Sequence, residues 1–232
     1  MAHSQNSLGR RNVNVGRVIS VNLAVPEAST AKQVGITGIN KQPVDHPVTV
    51  RPPGPKTTGL HSGLVGDQIF DIKHHGGDDQ AVYAYAREDY DWWEQELNRE
   101  LPGGIFGENL TLTGIDVNGA VIGETWRIGD KLVLQTTFGR IPCATFQAKM
   151  AEPHWVKTFT QQNRPGAYLR VITSGDVKAG DQVEVLDSPT HGVTIADGFR
   201  AWMTEPERLA KFLEVDGLPE GLKDDIRRRL NR

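Results

Sequence analysis

Trp126–Thr137 reads WRIGDKLVLQTT, and Val177–Asp187 repeats its plan as VKAGDQVEVLD. Each places a Gly-Asp pair (Gly129-Asp130, Gly180-Asp181) before a run of alternating apolar and polar residues. A tight glycine turn feeding a period-two run is the pattern of antiparallel strands joined by short connections. A third Gly-Asp, in GLVGDQIFDI (63–72), precedes another β-like run, and turn chemistry alone accounts for all three. Upstream, VISVNLAV (18–25) alternates Ile19, Val21, Leu23 and Val25 with Ser20, Asn22 and Ala24, and QAVYAYA (80–86) alternates Tyr83 and Tyr85 with small residues. Many short strands, with 25 glycines and 13 prolines, predict a mainly β protein built as a barrel or strongly curved sheet.

One helix interrupts that pattern. Ala86, Tyr90, Trp93, Leu97 and Leu101 recur at spacings of three and four, and Pro102-Gly103 stops the run. After LDSPTHG (186–192) the chemistry turns helical. Thr194 can cap IADGFRAWM, and Thr204 can cap a second helix with Pro206 in its first turn and Leu209, Phe212 and Leu213 on one face. A third helix runs from about Pro219 to Leu230, acids early and Arg227–Arg229 late, in the sense the helix dipole favours. Three short helices are marginal alone, so they dock on the barrel or on another subunit, and a homodimer is one expectation. The predicted organisation is a tail at residues 1–12, expected to be disordered, a barrel domain at 13–188 and a three-helix domain at 189–232.

Composition narrows the function classes. The chain has 232 residues, 38% hydrophobic and 24% charged, with a net charge of −3, so nothing drives it broadly toward nucleic acid or anionic membranes. Arg227–Arg229 read as a solvated helix end beside acids. The first residues, MAHSQNSLGRRNVN, lack the apolar segment of a secretory signal, and no run approaches the ~18 apolar residues of a membrane span. One cysteine excludes an internal disulfide and fits a reducing, cytoplasmic setting.

Three stretches can carry chemistry. In DIKHHGGDDQAVYAY (71–85), Lys73, His74 and His75 precede Gly76-Gly77, a combination that holds an oxyanion or simply makes a tight turn. Adjacent histidines on extended chain point apart, so they do not share a metal, and His61, His74, His75 and Cys143 show no zinc spacing. In GGIFGENLTLTGID (103–116), Asn109 is either a residue that starts a strand or a contact to the edge of a heterocycle. In RIPC (140–143), Arg140 favours the thiolate of Cys143 if the side chains meet, and Pro142 fixes the backbone before the sulfur. A plain buried cysteine is the competing reading.

Together with GINKQPV (38–44) and RPGAYLRVITSGDVKAGD (164–181), these stretches resemble, in order and spacing, the MOSC domain. That domain is named after the C-terminal part of molybdenum-cofactor sulfurase, and the likeness covers about residues 13–187. The trailing helices resemble those of the bacterial hydroxylaminopurine-resistance branch. The resemblance implies a β-barrel binding the molybdenum cofactor, with Cys143 as catalytic residue and molybdenum ligand. It further implies that Lys41, Arg140 and the His75-Gly76-Gly77 turn hold the cofactor's phosphate, and that Asn109 contacts the pterin or positions its neighbours. The implied reaction is reduction of small N-hydroxylated bases or amidoximes to amines. With no nicotinamide, flavin or iron–sulfur fingerprint, electrons are expected from a separate reductase. A cofactor carrier or sulfur relay using Cys143, or a non-catalytic binding barrel, is the alternative. Two departures concern the pocket mouth: CATFQAKM replaces the Trp-or-basic, Lys-Leu sequence common behind the cysteine, and Gly139 stands where proline is frequent.

Overall fold

The computed structural model of the chain describes residues 15–231, and the tail expected at residues 1–12 lies outside them. Strand β1 (Val15–Ala24) is followed by a small hairpin of β2 (Glu27–Ala28) and β3 (Ile36–Thr37). Next come β4 (Lys41–Val44) and β5 (Val48–Val50). After a long loop, β6 (Val82–Ala86), helix α1 (Arg87–Leu97) and β7 (Leu110–Thr113) form a crossover unit. The Gly129-Asp130 turn joins β8 (Thr125–Ile128) to β9 (Leu132–Phe138). Two helices, α2 (Ala144–Met150) and α3 (Trp155–Gln162), precede β10 (Ala167–Thr173), β11 (Gly175–Val177) and β12 (Gln182–Asp187). The chain ends in α4 (Ile195–Met203), a 3₁₀ stretch (Pro206–Glu214) and α5 (Glu220–Leu230).

Seven strands close into a barrel in the order β12-β8-β9-β10-β6-β7-β1, with β12 returning to β1. Closure removes the sheet edges that would otherwise invite association. The length of β1 does two jobs: Val15–Arg17 pair with β12, while Val21–Ala24 pair with β4 and bring Lys41 to the barrel's end. All these pairings are antiparallel except β6–β7, which is parallel because α1 carries the chain back over the sheet.

Three local expectations need correction. The register of β1 against β7 slips between Val18 and Ser20, a bulge that turns Ile19 outward (44% exposed) and leaves Val18 and Val21 in the core. No strand follows Gly66-Asp67, because the Asp67 carboxylate is drawn into a buried ion pair instead. The second C-terminal helix is 3₁₀ and is not capped by Thr204, whose hydroxyl closes α4 by donating to the Arg200 carbonyl. Thr194, in contrast, forms a reciprocal capping box with Asp197.

Two apolar clusters fill the molecule. One spans the barrel interior and continues into Ile195, Ala201, Leu209, Phe212 and Ile226, so the C-terminal segments dock on the barrel of their own chain. The other is aromatic and lies between α1, α2 and α3, with Phe106 at its centre: ring centroids of Tyr90, Tyr85 and Phe146 lie 4.7, 4.9 and 5.1 Å away. Phe106→Ala is expected to cost about 3–5 kcal/mol, read as a lower urea midpoint with unchanged slope. Its ring also packs on Phe146, the ring under the Arg140 guanidinium, so the same variant loosens the site described next. Among the described residues no helix is long and apolar enough to cross a membrane.

Candidate functional site

Strand β9 delivers Thr137 and Phe138 to the barrel's end, and Gly139–Pro142 carry the chain across to Cys143, the residue that opens α2. A side chain on Gly139 would meet Pro165 at 2.9 Å, which explains a glycine here. The segment behind the cysteine is the first turn of α2, and Phe146 within it is fully buried. Its ring lies under the Arg140 guanidinium at 4.5 Å, with Tyr83 at 5.2 Å on another side. The unusual ATF sequence therefore provides the platform that carries the arginine.

Arg140 is 5% exposed and forms no ion pair among the described residues. One guanidinium nitrogen donates to the Phe106 carbonyl, while Nε is buried without a partner. A desolvated cation held by rings and one carbonyl leaves charge unmet, which is the condition of an anion site. Its effect on the half-buried Cys143 is direct. Burial pushes the thiol up, but Arg140 and the amides of Phe146 and Thr145 outweigh it and bring the pKa below the ordinary value. Arg140→Gln is expected to move the midpoint of a pH–rate profile for iodoacetamide alkylation upward. A midpoint that stays in place would show that the arginine does not acidify the sulfur.

His74 and His75 lie on a turn rather than an extended segment, yet they do separate. His74 Nδ1 bonds Asp71 at 2.9 Å, and Lys32 from the β2–β3 hairpin pairs with the same carboxylate. His75 lines the site, and its burial followed by the charge of Arg140 pulls its pKa down to about 3, so the ring is neutral at physiological pH. Gly76 and Gly77 both have φ of 85°, closed to most side chains. Their amides are already engaged: Gly76 donates to Gln80 Oε1 and Gly77 to the His61 carbonyl.

Lys41 is 7% exposed and pairs with Asp67, whose side chain is 1% exposed, at 2.5 Å. Asp67 also accepts from Ser62 Oγ (2.7 Å), the Ala24 amide (2.9 Å) and Asn109 Nδ2 (3.0 Å). Asn109 Oδ1 accepts from the Tyr83 amide, so this residue positions its neighbours. Asp67 is hidden in the sequence because its Gly-Asp setting looks like another turn. Its one signal is the lack of alternation after it. Glu108, beside Asn109, is buried and tied to Gly104, Tyr90 and Thr111, a structural knot under the same loop.

Two cavities meet at the sulfur. The smaller, about 100 Å³, is lined by Lys41, Asp67, His75, Asn109, Arg140 and Cys143. The larger, about 660 Å³, lies between the barrel's end and the C-terminal helices and includes Gly77 in its wall. Cys143, His75 and Tyr168 line both. Burial holds the Tyr168 hydroxyl protonated, raising its pKa against the opposing charge of Arg140.

Known proteins share this architecture. The model of the MOSC domain family matches residues 71–184. YflK of Bacillus subtilis is 32% identical over 179 residues, 77% of this chain and 76% of that protein. A protein of Gibberella moniliformis named "Reductase" is 30% identical over 131 residues, 55% of this chain but 23% of that one. The crystal structure of YiiM from Geobacillus stearothermophilus matches with a TM-score of 0.73 at 24% identity, covering 93% of this chain and 99% of that one.

Proposed function

The chain belongs to the MOSC domain family, and from that premise we propose that it is a molybdenum-cofactor-dependent reductase of N-hydroxylated bases or amidoximes. The observation that carries the reading is an acidified thiol at the junction of two cavities, beside a buried guanidinium with no ionic partner. The residues fit an anionic, metal-bearing pterin. Among the described residues no group of three or more His, Cys, Asp or Glu could hold a bare metal ion. A metal here would take most ligands from its cofactor and one from the chain, and thiolate is the soft donor suited to it. Arg140 would meet the anionic part, with Lys41 assisting from its pair with Asp67. When bound, the cofactor supplies the two-electron redox chemistry.

The net reaction consumes two electrons and two protons, cleaves an N–O bond and yields an amine and water. The electrons come from a separate reductase. The chain's own part is to bind and orient. His75 stays neutral, so it adds no positive charge next to the sulfur, and Tyr168 stays protonated as a hydrogen-bond donor at the edge of both cavities. The fungal relative named a reductase supports this class of activity.

The test is turnover. Protein from a host that makes the cofactor is expected to carry molybdenum and, with a reduced viologen, to convert hydroxylaminopurine or benzamidoxime to the amine. Metal-replete protein inactive on both would overturn the reductase reading, and sulfane sulfur on Cys143 without metal would favour a relay.

A further inference from the structure

The larger cavity has walls of two origins. Phe138 and Ile141 from the barrel's end and Trp202 from α4 and Leu222 from α5 all line it. Apolar lining that includes an indole suits a flat ring, which gains from area burial and from stacking. Trp202 is held in place by α5, where the Arg229 guanidinium lies 5.2 Å from its ring centroid and donates to its backbone carbonyl at 2.6 Å. The volume of about 660 Å³ accommodates more than a bare ring.

The charges on the walls are unequal in what they leave unmet. Asp78 accepts from the Gly54 amide, Asp79 pairs with Arg170, and Asp225 pairs with Arg228. Lys56 and Lys73, in contrast, form no ion pair among the described residues. Lys56 is half-buried, and its burial pulls the ammonium below its usual range while Asp225 and Asp71 push back. A ligand anion would offset the cost of that burial by favouring the charged form.

We propose that the larger cavity is the substrate pocket, that the C-terminal segment sets its specificity through Trp202, and that it takes an aromatic base carrying an anionic tail, as in a nucleoside monophosphate, with Lys56 meeting the tail. The inference rests on the reductase reading for the reaction and on the cavity alone for the ligand. Because Cys143 lines the same cavity, a bound ring has access to the sulfur.

Calorimetric titration of the full chain with adenine, adenosine and adenosine monophosphate reads the pocket without turnover. The monophosphate is expected to bind at least tenfold more tightly than adenosine, Lys56→Gln to erase that difference, and Trp202→Ala to weaken both about tenfold in protein that still melts cooperatively. Equal affinity for nucleoside and monophosphate, or unchanged binding by a folded Trp202→Ala protein, would overturn the proposal. The two readings fail separately. Tight monophosphate binding with no reduction of any N-hydroxylated compound sinks the reductase and keeps the pocket. Reduction of benzamidoxime by a protein that does not bind the monophosphate does the reverse.

Discussion

Cys143→Ala is expected to give a folded protein that loses molybdenum and activity together. Folding survives because the cysteine serves α2 chiefly through its backbone, the Cys143 carbonyl accepting from the Gln147 amide. The sulfur is half-buried at a cavity junction, so its removal leaves space already open to solvent or ligand and shifts stability by about 1 kcal/mol or less. The ligand function has no substitute. Outer-shell partners of a metal site alone are worth about 10–100-fold in affinity or activity, so losing the one protein thiolate should cost at least a hundredfold in metal retained after gel filtration. Cys143→Ser separates roles, since serine can offer oxygen. Metal restored by serine but not alanine fits a ligand, whereas full metal in the alanine variant would remove Cys143 from the coordination sphere.

How much of this site is legible in the sequence depends on the kind of interaction. The Arg140–Cys143 pair is visible because only Ile141 and Pro142 separate them and the proline restricts their geometry. The same proximity makes the acidified thiol a physical expectation before any contact is known. The Lys41–Asp67–Asn109 network is not visible, since its members come from β4, the loop after Gly66 and the start of β7. The one local mark on Asp67, the broken alternation after it, does not say what the carboxylate meets. Gly76 and Gly77 show a different limit of a sequence. Their glycine character does signal backbone freedom, but a sequence does not say where an amide is spent, and here His61 and Gln80 take both.

The fold follows the same division. The hairpin around Gly129-Asp130 and the strand after Gly180-Asp181 form as their turns dictate, because turn type and period-two alternation are local. The bulge at Ile19 has no such local sign. Alternation through VISVNLAV is unbroken, and only the competing demands of β12, β4 and β7 on one strand displace its register. Helix α2 is silent in the sequence for a related reason. Seven residues carry too little periodicity to detect, and Phe146 is buried by partners on distant segments.

Asp67→Leu is expected to destabilise the protein by about 3–5 kcal/mol, because it strands the ammonium of Lys41 in a buried site. Asp67 is the common acceptor of Lys41, Ser62, Asn109 and the Ala24 amide, so its loss leaves several buried donors unpaired at once. The pH dependence has a definite sign. Burial pushes the carboxyl up, but Lys41 and the hydrogen bonds outweigh it and hold the pKa below its usual value. The contribution to stability is therefore complete above the unfolded value of about 3.9 and is lost as pH falls through the lower folded value. Asp67→Leu should flatten the acid limb of a stability–pH curve. Adding Lys41→Met removes the stranded charge, and exchange of a buried ion pair for apolar side chains of similar volume is often neutral. The double variant should thus regain the part of the urea midpoint lost to the stranded charge, though not the part lost with the Ser62, Asn109 and Ala24 donors. It should still retain less molybdenum, because Lys41 no longer assists Arg140 beside the anion. A single Asp67→Leu variant within about 1 kcal/mol of wild type would mean that the pair does not hold this end of the barrel. Recovery of both stability and metal in the double variant would confine Lys41 to a structural role and leave Arg140 as the only cation of the smaller cavity with charge to offer the cofactor.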